Sequence, residues 1–280
     1  LFYLESVPNC HHWRNTVLRQ NNLSPKFFKR ISEEIKLLRS SLPDGIFVAG
    51  FEDRIDLYSI MIFGPKSTPY QDGVFLFDVE LPCNYPDSPP NVYYISYCSD
   101  RINPNLYENG KVCVSLLGTW TGKGTEVWSA NSNLLQLIVS IQGLILVDEP
   151  YYNEAGYTKQ RGTVTGNENS CLYNEMVVIK LVQSMTKLFK NPPETFKERI
   201  INHLVSISDQ FIKRHENYLA IAEFSNSNFI QTSEKLYNFK QLPESYIPLP
   251  EFPLLPPSHG FCLSLRKALT NFTQVIHYSK

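Results

Sequence analysis

Asn103-Pro104-Asn105-Leu106-Tyr107-Glu108-Asn109-Gly110-Lys111-Val112-Cys113 is a turn-rich stretch that ends on a cysteine, eight residues after Asn105. Asn-Pro starts one turn and Asn109-Gly110 makes a tight reversal, so the backbone here has few conformations open to it. A thiol delivered by so stiff a loop has its position fixed and the neighbouring amides aimed. A covalent nucleophile needs that and a packed thiol does not. The bland reading of a lone cysteine is a small buried apolar side chain, and Cys83, Cys98, Cys171 and Cys262 take it.

Upstream of this stretch, Ser24 can cap a helix and Pro25 suits its first turn. Phe27, Phe28, Ile31, Ile35, Leu38 and Leu42 then recur at helical spacing until Pro43-Asp44-Gly45 stops the run. Short segments rich in aromatic and β-branched residues follow at Ile46 to Phe51, Ile55 to Phe63, Val74 to Leu81 and Val92 to Tyr97. Turn residues separate them, which predicts an antiparallel meander. Downstream lie a Gly- and Trp-bearing loop from Leu116 to Trp128 and a helix from Asn133 to Leu146 that Pro150 ends. Further helices are expected over Asn174 to Lys190, Glu194 to Phe224 and Phe261 to Ile276. Residues 1–23 show no clear period. Ser, Asn and Pro dominate 225–258, which reads as an extended linker.

The chain has 280 residues, 42% of them apolar, enough for one domain with a substantial extension. A formal net charge of -1 gives no electrostatic case for nucleic acid or an anionic membrane. Six dispersed cysteines do not make a disulfide framework or a zinc ribbon, which favours a reducing compartment, the cytoplasm or the nucleus. Cys10-His11-His12 has metal-ligating side chains but no second cluster to complete a site, so no metal is expected. The longest apolar run, Leu134 to Val147, is broken by Gln136, Ser140 and Gln142 and falls short of the ~20 residues a membrane span needs. No secretory signal is visible. The chain opens on Leu1 and is expected to be a piece of a longer polypeptide.

Gly64-Pro65, Tyr70, Gly73 and Phe75, then Tyr85-Pro86 and Pro89-Pro90, the Asn-Pro-Asn turn, Asn109-Gly110 and Cys113 fall in the order and near the spacing of a known family. Together they resemble the ubiquitin-conjugating enzymes over roughly residues 24 to 193. Lys111 to Trp120, Asp148 to Gly156 and Phe252 to Phe261 look like a large O-type branch of that family, in which conjugating and ligase roles share one polypeptide. The resemblance implies an α+β fold: an N-terminal helix, a four-stranded antiparallel meander, an active-site loop, a crossover helix and C-terminal helices with a helical extension. The expected organisation is a lead-in segment at 1–23, a conjugating domain at 24–193, a helical extension at 194–224, the linker at 225–258 and an amphipathic helix at 259–280.

The resemblance also implies a cofactor-free acyl transfer. Cys113 would receive ubiquitin from a ubiquitin-activating enzyme as a thioester, and the lysine of a protein substrate would take it. Asn105 is the implied donor to the tetrahedral oxyanion, or else a brace for the loop. Asn103, Pro104, Asn109 and Gly110 shape the turn. An incoming lysine with pKa ~10.4 needs help to lose its proton, and the family places polar or acidic groups near the thiol for this. Here Ser115 stands two residues after the cysteine and the counted acidic position falls on Tyr152, so Asp148, Glu149, Asn153 and Glu154 are also candidates.

Lys29 and Arg30 are either a solvated helix face or a contact for the activating enzyme. Val139 and Gly143 are either ordinary helix positions or part of the face that receives thioester-linked ubiquitin. Three departures mark an atypical member. Asn103 replaces the usual histidine, Asp87 follows Tyr-Pro where ligases expect an apolar anchor, and Ser129-Ala130-Asn131 replaces Ser-Pro-Ala. The stretch from Gly118 to Val127 is also about seven residues longer than usual, beside the thiol where it could shape access. Asp87 and Ala130 suggest independence of a separate ligase. The rival reading is an inactive binding module of the same fold. A papain-like thiol hydrolase is disfavoured because the histidines at 11, 12, 203, 215, 259 and 277 lie outside the predicted core.

Overall fold

A computed structural model of the chain describes residues 1–16, 23–120, 127–228, 250–254 and 257–277. Helix α1 (Pro25–Ser41) starts where the Ser24 hydroxyl accepts the amide of Phe27 at 3.1 Å, with Pro25 at the first helical position. It turns Phe27, Ile31, Glu34 and Leu38 inward, one face of the helix. Strands β2 (Ile46–Phe51), β3 (Leu57–Phe63), β4 (Val74–Glu80) and β5 (Asn91–Ile95) form the expected meander. β2 has the bounds read from the sequence. β3 starts at Leu57 instead of Ile55, and β4 and β5 stop at Glu80 and Ile95.

A further strand joins this sheet. β1 (Phe2–Glu5) lies at its edge, parallel to β2, with Phe2 opposite Val48 and Glu5 opposite Phe51. Four residues are too few to show a period, and parallel pairing joins segments far apart in sequence, so local patterning does not report it. Gly50 leaves room for the crossing side chains: a Cβ there would lie 3.0 Å from Leu4 Cδ2 and 3.1 Å from Phe2 Cζ. The residues after β1 are tied to Asp78, a buried carboxylate on β4. It accepts the Ser59 hydroxyl at 2.7 Å and the amide of His12 at 2.8 Å. His11 Nε2 donates to Tyr58 O at 3.1 Å while its Nδ1 accepts the Trp13 amide at 3.2 Å. Burial pulls the His11 pKa down, so this ring serves as a neutral tether.

On the other side of the active-site loop, helix α2 (Leu134–Ser140) begins in a capping box between Asn133 and Gln136 and runs on into a π-helical turn, Ile141–Ile145. Together these fill the place of the expected crossover helix. Helix α3 (Val164–Lys190) begins ten residues before Asn174, with its start capped by the Thr163 hydroxyl on the Gly166 amide. Its first turns were hidden in the sequence because their inward positions include Ser170 and Asn174, which make polar bonds and break the apolar stripe.

Helices α4 (Lys197–Asn228) and α5 (His259–His277) complete the order. α5 packs on both α3 and α4, with Phe272 5.0 Å from Phe211 between ring centroids. Most of the predicted linker, residues 229–249, and residues 121–126 of the loop beside the thiol lie outside the described residues. Where the chain is described again, Phe252 and Leu254 are buried, and Ser258 donates through its amide and hydroxyl to Glu175 at 2.5 and 2.7 Å. Among the described residues, no helix is long and apolar enough to cross a membrane.

Candidate active site

The turn that carries the thiol is held by amide side chains. Asn103 is fully buried. Its Nδ2 donates to Tyr70 OH at 2.8 Å and to Ile145 O at 2.7 Å, and its Oδ1 accepts the Asn105 amide at 2.8 Å. The Tyr70 hydroxyl donates onward to Ile102 O at 3.2 Å, and burial keeps that phenol protonated by raising its pKa well above the ordinary value. Asn103 therefore joins the turn to the end of the crossover helix. Asn105 is paired with the cysteine in both directions: the Cys113 amide donates to Asn105 O at 2.9 Å, and Asn105 Nδ2 donates to Cys113 O at 2.8 Å. This is the brace; its amide nitrogen carries a second hydrogen.

Gly110 closes the reversal at φ +90°, where a Cβ would lie 2.0 Å from the Tyr93 ring, so only glycine fits. Its carbonyl accepts the Tyr94 amide at 2.8 Å, stitching the loop to β5, and Asn109 Oδ1 accepts the Lys111 amide at 3.2 Å. Pro104, in the middle of the turn, is buried. On the far side of the thiol, the Thr119 hydroxyl donates to Val112 O at 2.8 Å and accepts the Val114 amide at 3.0 Å. Sequence reading passed over Thr119. The available signal was a hydroxyl residue directly after Gly118, which takes positive φ.

Cys113 is 3% exposed and faces a cavity of about 640 Å³. Ser115, Tyr152, Asn153 and Glu154 line the same cavity, with Leu116, Trp120 and Leu144 as apolar wall. These four candidates are thus brought together with Cys113 and Asn105. Asn153 is turned to the helix end, donating to Leu144 O at 2.9 Å. Tyr152 is buried, which raises its pKa, and the Arg161 guanidinium lies 4.3 Å above its ring. Glu154 pairs with Arg101 at 3.4 Å. Asp148 and Glu149 do not line this cavity. Asp148 borders a separate one beside Gly143, and Glu149 is engaged by Arg161 at 2.7 Å and by the Ser170 hydroxyl at 3.1 Å.

The remaining candidates are spread over the surface. Lys29 is exposed and only 4.0 Å from Glu33. Arg30 is turned inward: its Nε is 3.0 Å from Glu34 and it donates to Ser132 O. Glu34 is buried and also accepts Tyr85 OH at 2.5 Å and the Leu134 amide at 3.0 Å, so this knot joins α1 to the start of the crossover helix. Burial raises the Glu34 pKa. Val139 and Gly143 are both exposed on the crossover helix. Asp87 is exposed and holds Lys26 Nζ at 2.6 Å. Trp128 Nε1 donates to Pro86 O at 2.8 Å, and Ala130 lies exposed on the neighbouring turn.

A meander crossed by one helix, with a single cysteine placed at the end of an amide-braced turn, defines an α+β domain organised around that thiol. The family model for ubiquitin-conjugating enzymes matches residues 30–181, more than half of the chain. The chain belongs to the ubiquitin-conjugating enzyme family and has its fold. It is 42% identical over 264 residues to an Arabidopsis thaliana protein, probable ubiquitin-conjugating enzyme E2 23, a match that covers 89% of this chain and 24% of that one. It is 38% identical over 226 residues to the Homo sapiens dual E2 ubiquitin-conjugating enzyme/E3 ubiquitin-protein ligase BIRC6, covering 77% of this chain and 5% of that one. The chain therefore spans about a quarter or less of the length of these two relatives. Among solved structures it is similar to the H. polymorpha enzyme Pex4p in complex with the soluble domain of Pex22p, at 19% identity and a TM-score of 0.43, covering 56% of this chain and 96% of that one.

Proposed function

We propose that the chain is the conjugating portion of a hybrid enzyme of the O-type, charged with ubiquitin at Cys113 and passing it to substrate lysines without a separate ligase. The observation that supports this best is Cys113 itself, braced through both its amide and its carbonyl by Asn105 and opening on a cavity whose far wall carries Glu154. In the first step the Cys113 thiolate attacks the ubiquitin C-terminal carbonyl, held as a thioester on the activating enzyme, and the activating enzyme's thiol leaves. In the second step a deprotonated lysine amine attacks the Cys113 thioester. The tetrahedral oxyanion collapses, the Cys113 thiolate departs and an isopeptide bond remains. No metal or organic cofactor enters either step. Asn105 would offer its second N–H to each oxyanion, and Glu154, which lines the same cavity, would receive the lysine's ammonium and take the proton that the amine sheds.

Ligase independence is supported by Asp87, whose carboxylate is exposed where a ligase would seat an apolar anchor. None of the six cysteines forms a disulfide, which supports work in a reducing compartment, the cytoplasm or the nucleus.

Incubation with activating enzyme, ATP and ubiquitin tests the reading. A thiol-sensitive mobility shift is expected, and Cys113→Ala abolishes it. A folded chain that never acquires the thioester, with ubiquitin or with any ubiquitin-like modifier presented by its own activating enzyme, is a binding module instead. Transfer to lysine that strictly requires an added ring-type ligase removes the hybrid reading and leaves the conjugating one.

A further inference from the structure

Arg101 lies just ahead of the active-site turn and is absent from every motif that marks the family resemblance. Its guanidinium sits 3.9 Å above the Tyr107 ring, donates through Nη2 to Pro104 O, and reaches Glu154 Oε2 at 3.4 Å across the mouth of the thiol cavity. Two of these contacts fasten the group to the turn, and the third holds a side chain of the opposite wall. Its Nε is buried with no hydrogen-bond partner among the described residues, a cost that an arginine serving only as a solvated surface charge would not incur.

We propose that Arg101 is a positioning residue for lysine transfer: anchored on the turn, it holds the Glu154 carboxylate over the cavity where the incoming ammonium must be received. This rests on reading Cys113 as the acyl carrier and goes beyond it by assigning a role to a residue remote from the thiol in sequence. Glu154 is on a short segment between two single-turn 3-10 helices, Pro150–Asn153 and Tyr157–Gln160. Apart from Arg101, its carboxylate meets only the amide of Ala155 among the described residues, at 3.3 Å. Without the guanidinium, little fixes its direction. With it, Oε2 is tied to the guanidinium and Oε1 to the Ala155 amide, and each oxygen keeps a lone pair for a cation. Arg101 itself acts only through Glu154: it touches neither the thioester nor the amine.

The test compares nucleophiles on the charged full chain. Arg101→Ala is expected to slow discharge to lysine by about tenfold, the usual cost of a displaced catalytic group at the low end. Charging and discharge to hydroxylamine should change less than about threefold, since hydroxylamine is neutral near pH 7 and needs no carboxylate. Glu154→Ala should give a similar lysine-specific loss, and the double variant should be no slower than Glu154→Ala alone. Arg101→Lys, which keeps a cation over Tyr107, should recover part of the rate and serves as the folding control. Equal loss toward lysine and hydroxylamine, or additive losses in the double variant, would make Arg101 a brace for the turn and overturn the proposal. So would unchanged lysine discharge in Arg101→Ala. Absence of a thioester on the unsubstituted chain is a different outcome: it removes the conjugating function first and this role with it.

Discussion

The two walls of the thiol cavity are built in opposite ways. The turn wall, from Asn103 to Thr119, is held by short hydrogen bonds among buried amides and carbonyls, with Asn103, Asn105 and Cys113 0%, 7% and 3% exposed. The gate wall, from Tyr152 to Thr158, is drawn from two single-turn 3-10 helices and the segment between them. Its charged links, Arg101 to Glu154 and Arg161 to Glu149, lie near solvent. Breaking a buried hydrogen bond leaves an unsatisfied group and costs roughly 1–3 kcal/mol, whereas exposed ion pairs contribute about 0–1 kcal/mol. The nucleophile is thus rigidly placed, while the wall that meets the acceptor can adjust at little cost. That division suits the proposed activity, in which the thioester chemistry is constant and the acceptor lysines vary.

The sharpest attack on this contrast is Asn105→Ala. It removes both the brace on Cys113 O and the proposed oxyanion donor, and lysine transfer should fall by roughly 10²–10³-fold, about 2.7–4 kcal/mol in the barrier. Charging should persist, because the Cys113 amide still donates to the backbone carbonyl of residue 105. Thioester formation and discharge followed separately on gels check this. If both steps fall together, Asn105 is only structural and the turn wall plays no chemical part beyond placing the sulfur.

Next is Asn103→Ala, which deletes three hydrogen bonds at a fully buried position. Unfolding in urea should show a loss of about 2–4 kcal/mol. Asn103→His should lose less, since one ring nitrogen can donate and the other accept. A loss under about 1 kcal/mol for the alanine variant would mean that the turn and the crossover helix are not coupled through this side chain. Thr119→Val should follow at about 1–2 kcal/mol, because it strands the Val114 amide and the Val112 carbonyl while keeping the volume. Thr119→Ser should retain most of the stability.

The same difference decides how much could be read without a structure. Turn residues write their geometry locally. Asn103, Asn105, Asn109 and Gly110 bond to or bend the backbone within a few positions, so the loop and its cysteine were legible in eleven consecutive letters. So were the meander and α1, whose periods are local. The gate wall was not, because its partners come from elsewhere in the chain. Glu154 meets Arg101 from before the turn, Asn153 caps the crossover helix, Glu149 accepts from Ser170 on α3, and the Asp148 carbonyl accepts from Asn174 on the same helix. Counting along the chain named Asp148, Glu149, Asn153 and Glu154 as candidates, but not Arg101, and could not say which shared a cavity with Cys113. Strand β1 and the early turns of α3 escaped for the same reason: the residues that define them pair far away in sequence or spend their inward positions on polar bonds.

The smallest expected effect is the one that most directly tests the gate wall. Arg161 Nη1 holds Glu149 Oε2 at 2.7 Å and its guanidinium covers the Tyr152 ring at 4.3 Å, yet more than half of its side chain, 55%, is exposed. Arg161→Ala should therefore cost about 0.5 kcal/mol or less in stability, since water and salt already screen such a pair. Lysine discharge should slow by no more than about threefold, with the loss shrinking as ionic strength rises. The reversed pair, Arg161→Glu with Glu149→Arg, should recover only part of any loss, because the ion pair is kept while the stacking on Tyr152 and the acceptor of the Ser170 hydroxyl are lost. Differential scanning fluorimetry and discharge assays at two salt concentrations are enough to see this. A loss as large as that of Asn103→Ala would mean that the gate is as rigid as the turn.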